Sequence, residues 1–159
     1  MKKVDVYTDG ACSGNPGIGG WAAILLYNGA KKEIFGYDKH TTNNRMELFA
    51  VVMGLRALKE SCDVTVYTDS AYVANAFING WIYNWLANKW KTADKKEVKN
   101  SELWKALYYE TKKHKIQFVK VKGHADNEYN NRCDALATGA ISDYVELINS
   151  VAAEKKESL

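Results

Sequence analysis

The sequence predicts an α/β protein, a five-stranded mixed sheet flanked by helices, and three patterns predict it. The first forty residues alternate like strands joined by hairpins. The strands after them are separated by helical stretches. The tetrapeptide VYTD occurs twice, at residues 6–9 and 66–69, each copy closing an alternating run.

The elements follow in order. Val4, Val6 and Thr8 alternate with Asp5, Tyr7 and Asp9, the period of a strand. The next run, GACSGNPG, has the Gly, Asn and Pro of a loop. GWAAILLYNGAKKEIFGYD reads as two strands turning at Asn28-Gly29. Over residues 44–58, Leu48, Val51, Val52, Leu55 and Leu58 share one side of a helix. Residues 63–68 form another alternating strand. Ser70 then opens a helix that runs to about Asn79 and is closed by Gly80. A short aromatic helix, WIYNWL, precedes a Lys-rich loop. After it come a helix over 101–113, a last strand over 115–121 and a loop over 123–127. One helix is expected from near Asn130 and another over 142–153, before a frayed end, EKKESL. Hairpin-linked strands followed by helix-separated ones make a mixed sheet with helices on its faces. No linker or break in composition divides the chain, so residues 1–159 are expected to be one domain, with about 141–159 as a C-terminal helix and tail.

Composition narrows the function classes. Hydrophobic residues make up 47% of the chain and there is one Pro, a globular rather than a disordered composition. No run of 18 apolar residues exists, so no membrane-spanning segment is expected. The N-terminal MKKVDVYTDG lacks a continuous apolar stretch, so a cytoplasmic location is expected. Cys12, Cys62 and Cys133 are odd in number and share no metal-ligand spacing, which suits reduced thiols. Net charge is +3 but uneven: residues 89–122 hold eleven Lys against four acids, a net +7. A basic segment on a slightly acidic body suggests a polyanion, nucleic acid first, against the plainer reading of a solvated Lys-rich face.

The repeated VYTD gives the strongest functional signal. Two strands joined through a helix are expected to lie parallel and adjacent, which places Asp9 and Asp69 side by side at the carboxyl edge, where open α/β sheets bind ligands. Each acid also has a plainer reading: Asp69 as a helix N-cap, Asp9 as a turn former. Glu47 shares a helix face with Ala50, Val51, Gly54 and Leu55, which turns it toward the core; a capping box from Asn44 is the alternative. Asp134 sits near the start of NNRCDALA, where a helix dipole alone favours an acid. Each plain reading explains one acid and none explains four converging. Oxygen-only ligands favour Mg²⁺ or Mn²⁺. Two such ions roughly 3.5–4 Å apart suit phosphodiester hydrolysis.

At YTDGACSGNPG, TTNNRMEL, VYTDS, WKTADKKEVKN, LW and VKGHADNEYNNRCDALA the chain resembles ribonuclease H of type 1, the bacterial type. These stretches run from the first strand to about Ala140 and are specific together. The resemblance implies the ribonuclease H-like fold. It also implies endonucleolytic cleavage of the RNA strand of an RNA–DNA hybrid, leaving 3′-hydroxyl and 5′-phosphate ends. Two Mg²⁺ ions would serve, with Mn²⁺ able to substitute. Asp9, Glu47, Asp69 and Asp134 would be the catalytic acids and metal ligands, with Asp9 bridging both metals. His124, in the GHA loop, would handle protons or product release.

The same resemblance implies the substrate contacts. Gly10 and Cys12 would approach RNA sugars through their backbone, and Asn15, Asn43 and Asn44 would reach the minor groove, where 2′-hydroxyls mark RNA. Thr42 and Asn100 would meet DNA phosphates. Trp81, Trp85, Trp90, Lys91, Lys95, Lys96 and Lys99 resemble the family's basic protrusion; core packing is the plainer reading for any one Trp. Two departures stand out: Ala71 where many relatives have Gln, and Asn131 where an acid is usual. No extra N-terminal hybrid-binding module is expected, and processivity is expected to be low. A hybrid-binding module without catalysis is opposed by the presence of all four acids. Another nuclease or transposase on the same fold is opposed by the basic segment and TTNNRMEL. No protein partner is implied and a monomer is expected.

Overall fold

The computed structural model describes residues 1–122 and 127–157. Three antiparallel strands come first: β1 (Lys2–Gly14), β2 (Gly17–Tyr27) and β3 (Ala30–Thr41). After them come α1 (Asn43–Arg56), β4 (Cys62–Thr68), α2 (Ala71–Ile78), α3 (Trp81–Ala87), α4 (Ser101–Thr111), β5 (Lys115–Lys120) and α5 (Glu128–Glu157). The five strands form one mixed sheet in the order β3-β2-β1-β4-β5. The β1–β4 and β4–β5 pairs are parallel.

The registers follow from the sequence chemistry. The β2–β3 hairpin turns on Asn28 (φ 49) and Gly29 (φ 84), the double left-handed turn that Asn-Gly favours. In the β1–β4 pair, Val6 faces Val66 and Tyr7 faces Tyr67, a constant offset that matches the repeat, and the two tyrosine rings stack at 4.4 Å. β4 alternates buried and half-buried along its whole length, as its sequence does.

Two layers of helix cover the sheet. Val4, Val6, Ala23, Leu25, Val64 and Val66 meet Leu48, Val51, Leu55, Trp104 and Leu107 in the main core. On the other face Ala22 and Ile24 meet Cys133 and Ala137 of α5. Gly54 lets α1 approach closely: a Cβ there would lie 3.0 Å from Val6 Cγ1 and 3.2 Å from Ala23 Cβ. Among the described residues, no helix is long and apolar enough to cross a membrane.

The structure corrects the sequence reading in several places. GACSGNPG is mostly strand: β1 continues to Gly14, paired from Gly10↔Trp21 to Gly14↔Gly17, because the antiparallel ladder with β2 uses the backbone of these small residues whatever their propensity. The two C-terminal helices are one, α5, which starts at Glu128 because Asn127 Oδ1 accepts the N–H groups of Tyr129 (3.0 Å) and Asn130 (3.1 Å). Gly139, in mid-helix, has open space where a side chain would be, and no Pro follows to stop the helix. The Lys-rich loop has internal order: Thr92 N–H donates to Lys96 O (2.8 Å), Val98 N–H donates to Trp90 O (2.9 Å), and Val98 is buried.

Candidate metal centre and nucleic-acid surface

Asp9 lies in β1, opposite Ala22 of β2, and is only 5% exposed. Glu47 lies in α1 and is 4% exposed. Their meeting depends on Gly10. A Cβ at Gly10 would lie 2.4 Å from Glu47 N and 2.5 Å from Met46 C, so only glycine lets β1 pass under the start of α1. The Gly10 N–H donates to Asp9 Oδ1 (3.0 Å) and also to Glu47 Oε1. One backbone donor therefore orients both carboxylates.

Asp69 follows the end of β4 and is half-buried. It does not cap α2. Ser70 does: its hydroxyl accepts the Val73 N–H at 3.2 Å, and Thr68 Oγ1 accepts the Ser70 N–H at 3.1 Å. Nor does Glu47 close a capping box with Asn44; Thr42 caps α1, accepting the Arg45 N–H at 3.3 Å. Relieved of capping, the acids converge. Asp9, Glu47 and Asp69 each offer an oxygen, all within 4.8 Å of one another. Asp134, in the second turn of α5 and half-buried, lies outside that trio but near enough for its charge to act on Asp9. His124 lies outside the described residues.

Such crowding has an electrostatic cost. Burial, then the Asp69 charge, push the Asp9 carboxyl up to about 7, against its ordinary 3.8. Burial and the charges of Asp9 and Asp69 also raise Glu47 well above its usual range. The two carboxylates are within hydrogen-bonding reach of each other, a contact that a shared proton or a cation makes favourable. Hard oxygen donors gathered with their repulsion uncompensated fit a divalent cation.

The residues expected to meet nucleic acid flank this centre. Cys12 Sγ donates to Thr41 O at 3.4 Å, and Asn43 N–H donates to Asn15 Oδ1 at 3.1 Å, which ties the β1–β2 turn to the start of α1. Asn44 is exposed in the first turn of α1. Asn100, at φ 61, precedes α4. Lys91, Lys95, Lys96 and Lys99 are exposed, while Trp81 stands 43% exposed. Trp85 is different: it meets Trp104 edge-on at 5.1 Å and belongs to the core. Trp90 packs against Tyr108 with Lys105 above its ring. The sequence reading passed over Arg45 and Tyr72, which hold the Asn100 side chain. No periodicity could have signalled them, because their contacts span 55 and 28 positions. Ala71 is exposed at the first residue of α2, and Asn131 is exposed on α5, its N–H donating to Asn127 O at 3.0 Å.

A parallel strand pair that ends in two carboxylates, roofed by a helix that adds a third, gathers hard oxygen donors of the kind that suit a divalent cation at the carboxyl edge of an α/β sheet. A family model described as RNase H matches residues 1–142. A Ribonuclease H of Acetivibrio thermocellus is 60% identical over 141 residues, covering 89% of this chain and 96% of that one. The crystal structure of LC9-RNase H1, a type 1 RNase H with the type 2 active-site motif, has a TM-score of 0.80 at 27% identity, over 90% of this chain and 74% of that one. LC11-RNase H1, solved in complex with RNA/DNA hybrid, shares the fold at a TM-score of 0.68 and 24% identity, over 89% of this chain and 99% of that one. This chain belongs to the RNase H family.

Proposed function

We propose that this protein is an endonuclease that hydrolyses the RNA strand of RNA–DNA hybrids, leaving 3′-hydroxyl and 5′-phosphate ends, with Mg²⁺ as its cation and Mn²⁺ able to replace it. The observation that carries the reading is the convergence of Asp9, Glu47 and Asp69 within 4.8 Å at the edge of the sheet. The hybrid bound to LC11-RNase H1 supports the substrate.

Asp9, Glu47, Asp69 and Asp134 would hold the cations. Two such ions supply charge stabilisation to both the attacking and the leaving oxygen of a phosphodiester. The chain does the positioning. Gly10 N–H fixes the orientation of Asp9 and Glu47, and burial of both strengthens their hold on positive charge. His124 would handle the proton or product release. Asn15, Asn43 and Asn44 would present donors and acceptors to the minor groove, where 2′-hydroxyls separate RNA from DNA. Gly10 and Cys12 would approach the RNA sugars, and Thr42, Asn100, Trp81 and the exposed lysines would take the DNA strand. With Ala71 in place of a longer side chain, one minor-groove contact would be missing.

The test is incubation of end-labelled RNA–DNA hybrid with Mg²⁺, beside RNA–RNA and DNA–DNA duplexes. Internal cuts in the RNA strand of the hybrid alone, abolished by EDTA, are expected. Equal cutting of DNA–DNA duplex would overturn the substrate assignment, and cutting undiminished by EDTA would overturn the use of a cation.

A further inference from the structure

We infer that Arg45 is a positioning residue for the hybrid: it braces Asn100, and so holds the basic segment at a fixed spacing from the Asn15/Thr42–Asn44 side of the surface. This rests on the function proposed above.

The brace is built from side chains that are far apart in sequence. Arg45 Nη1 donates to Asn100 Oδ1 (3.1 Å) and to Glu102 Oε1. Asn100 Nδ2 donates to the Tyr72 hydroxyl (3.1 Å), which also accepts Trp104 Nε1–H (3.0 Å). A guanidinium only donates, so Arg45 dictates which end of the Asn100 amide faces it, and the amide nitrogen is thereby turned to Tyr72. Trp104 is fully buried, so the chain of bonds ends in the core. At its other end, the Arg45 N–H is held by the Thr42 hydroxyl, and the neighbouring Asn43 N–H by Asn15. Asn100 needs this support. It sits in the left-handed region at φ 61 and makes no cap to its own helix, so local structure alone does not fix its side chain. Arg45 itself is one-third exposed, and its guanidinium bonds go to Asn100 and Glu102 rather than to the carboxylate trio, so its effect is on placement rather than chemistry.

The experiment measures kcat and KM for labelled hybrid with Arg45→Met, Arg45→Lys, Glu102→Gln, Asn100→Ala and the Arg45→Met/Asn100→Ala double variant. With Arg45→Met, KM is expected to rise about tenfold, the size of one charge-assisted hydrogen bond, while kcat stays within about twofold. Arg45→Lys should fall between, because an ammonium keeps the charge but not the fork that reaches two acceptors. Glu102→Gln should leave KM near the wild-type value, since the Asn100 bond survives. In the Asn100→Ala background Arg45→Met should add nothing, because the residue it acts through is gone. Additive effects of the two substitutions, a parallel fall in kcat, or a Glu102→Gln variant as impaired as Arg45→Met would overturn the inference. A readout free of substrate separates it from the function itself: the Asn100 side-chain amide resonances should shift in Arg45→Met, and unmoved resonances would overturn the brace. Wild-type protein that leaves the hybrid uncut would instead overturn the proposed function.

Discussion

Asp9→Asn is expected to stabilise the metal-free protein while it stops catalysis. The carboxyl of Asp9 is raised from 3.8 to about 7 by burial and by the neighbouring acids. The raised value means that the native state binds a proton more tightly than the unfolded chain, so this acid costs nothing below pH 3.8 and costs most above pH 7. About three pKa units at 1.4 kcal/mol each give a penalty of about 4 kcal/mol. Relaxation and water entry around a buried carboxylate return part of it, leaving on the order of 2 kcal/mol. Asparagine keeps the carbonyl oxygen that accepts the Gly10 N–H at 3.0 Å and removes only the charge. For a chain of 159 residues, that gain corresponds to a rise in Tm of roughly 4–8 °C. The assay is thermal unfolding of both proteins at pH 8 with EDTA, repeated at pH 4, where the two curves should converge. Added Mg²⁺ should narrow the gap, since a cation at ten times its Kd returns about 1.4 kcal/mol to a protein that binds it and little to one that does not. A variant less stable than wild type at pH 8 in EDTA would refute the reasoning, because the carboxylate would then be contributing to the fold.

Two further outcomes follow from other parts of the molecule. Replacing Lys91, Lys95, Lys96 and Lys99 with Ala should weaken binding to any duplex alike and flatten the dependence of log K on log salt by up to about 3–4 units, at roughly 0.9 per phosphate contact; an unchanged slope, measured with Ca²⁺ in place of Mg²⁺, would make them a solvated face. His114 Nδ1 accepts the Cys62 N–H at 3.1 Å, and burial holds this imidazole below its usual 6.5, so its contribution is intact above that value and is lost as pH falls through the lowered one. Against His114→Gln, whose amide oxygen can accept the same bond, wild type should lose Tm as pH falls below 6.5; parallel curves would refute the role.

The fold was legible where the chain writes a period. The alternation of Val4, Val6 and Thr8, and the copy of it at Val64, Val66 and Thr68, carried both the strands and their parallel neighbouring, and the register pairs Val6 with Val66 as the repeat implies. Asn28-Gly29 carried its hairpin because two left-handed residues in succession leave little choice. The failures lie where a partner, not a local preference, decides. Gly10 to Gly14 read as loop because glycine has no strand preference, yet β2 supplies ten successive pairs up to Gly14. The single helix α5 was divided because Thr138-Gly139 weakens the local helix signal, while Ala137, packed with Ala22 and Ile24, holds that turn to the sheet. Trp81 and Trp85 have the same composition around them, and only packing against Trp104 separates the partly buried Trp85 ring from the exposed Trp81 ring.

The carboxylate centre was legible for a different reason: each acid has a neighbour that takes over the structural task the acid could have served. Thr42 caps α1 and Glu47 is spared; Ser70 caps α2 and Asp69 is spared; Asn127 caps α5 and Asp134, about two turns further on, is spared. Helix N-termini still gain from nearby negative charge, so an acid such as Asp69, directly before the Ser70 cap, loses little by leaving the capping to its neighbour. What remains for Asp9 and Glu47 is mutual repulsion in a buried place, which the shared Gly10 N–H offsets only in part and which leaves both carboxyls raised above their ordinary range. Their convergence is costly to the fold and useful to a cation, and a glycine at residue 10 that admits no Cβ within 2.4 Å of α1 shows that the backbone itself is shaped to bring them together.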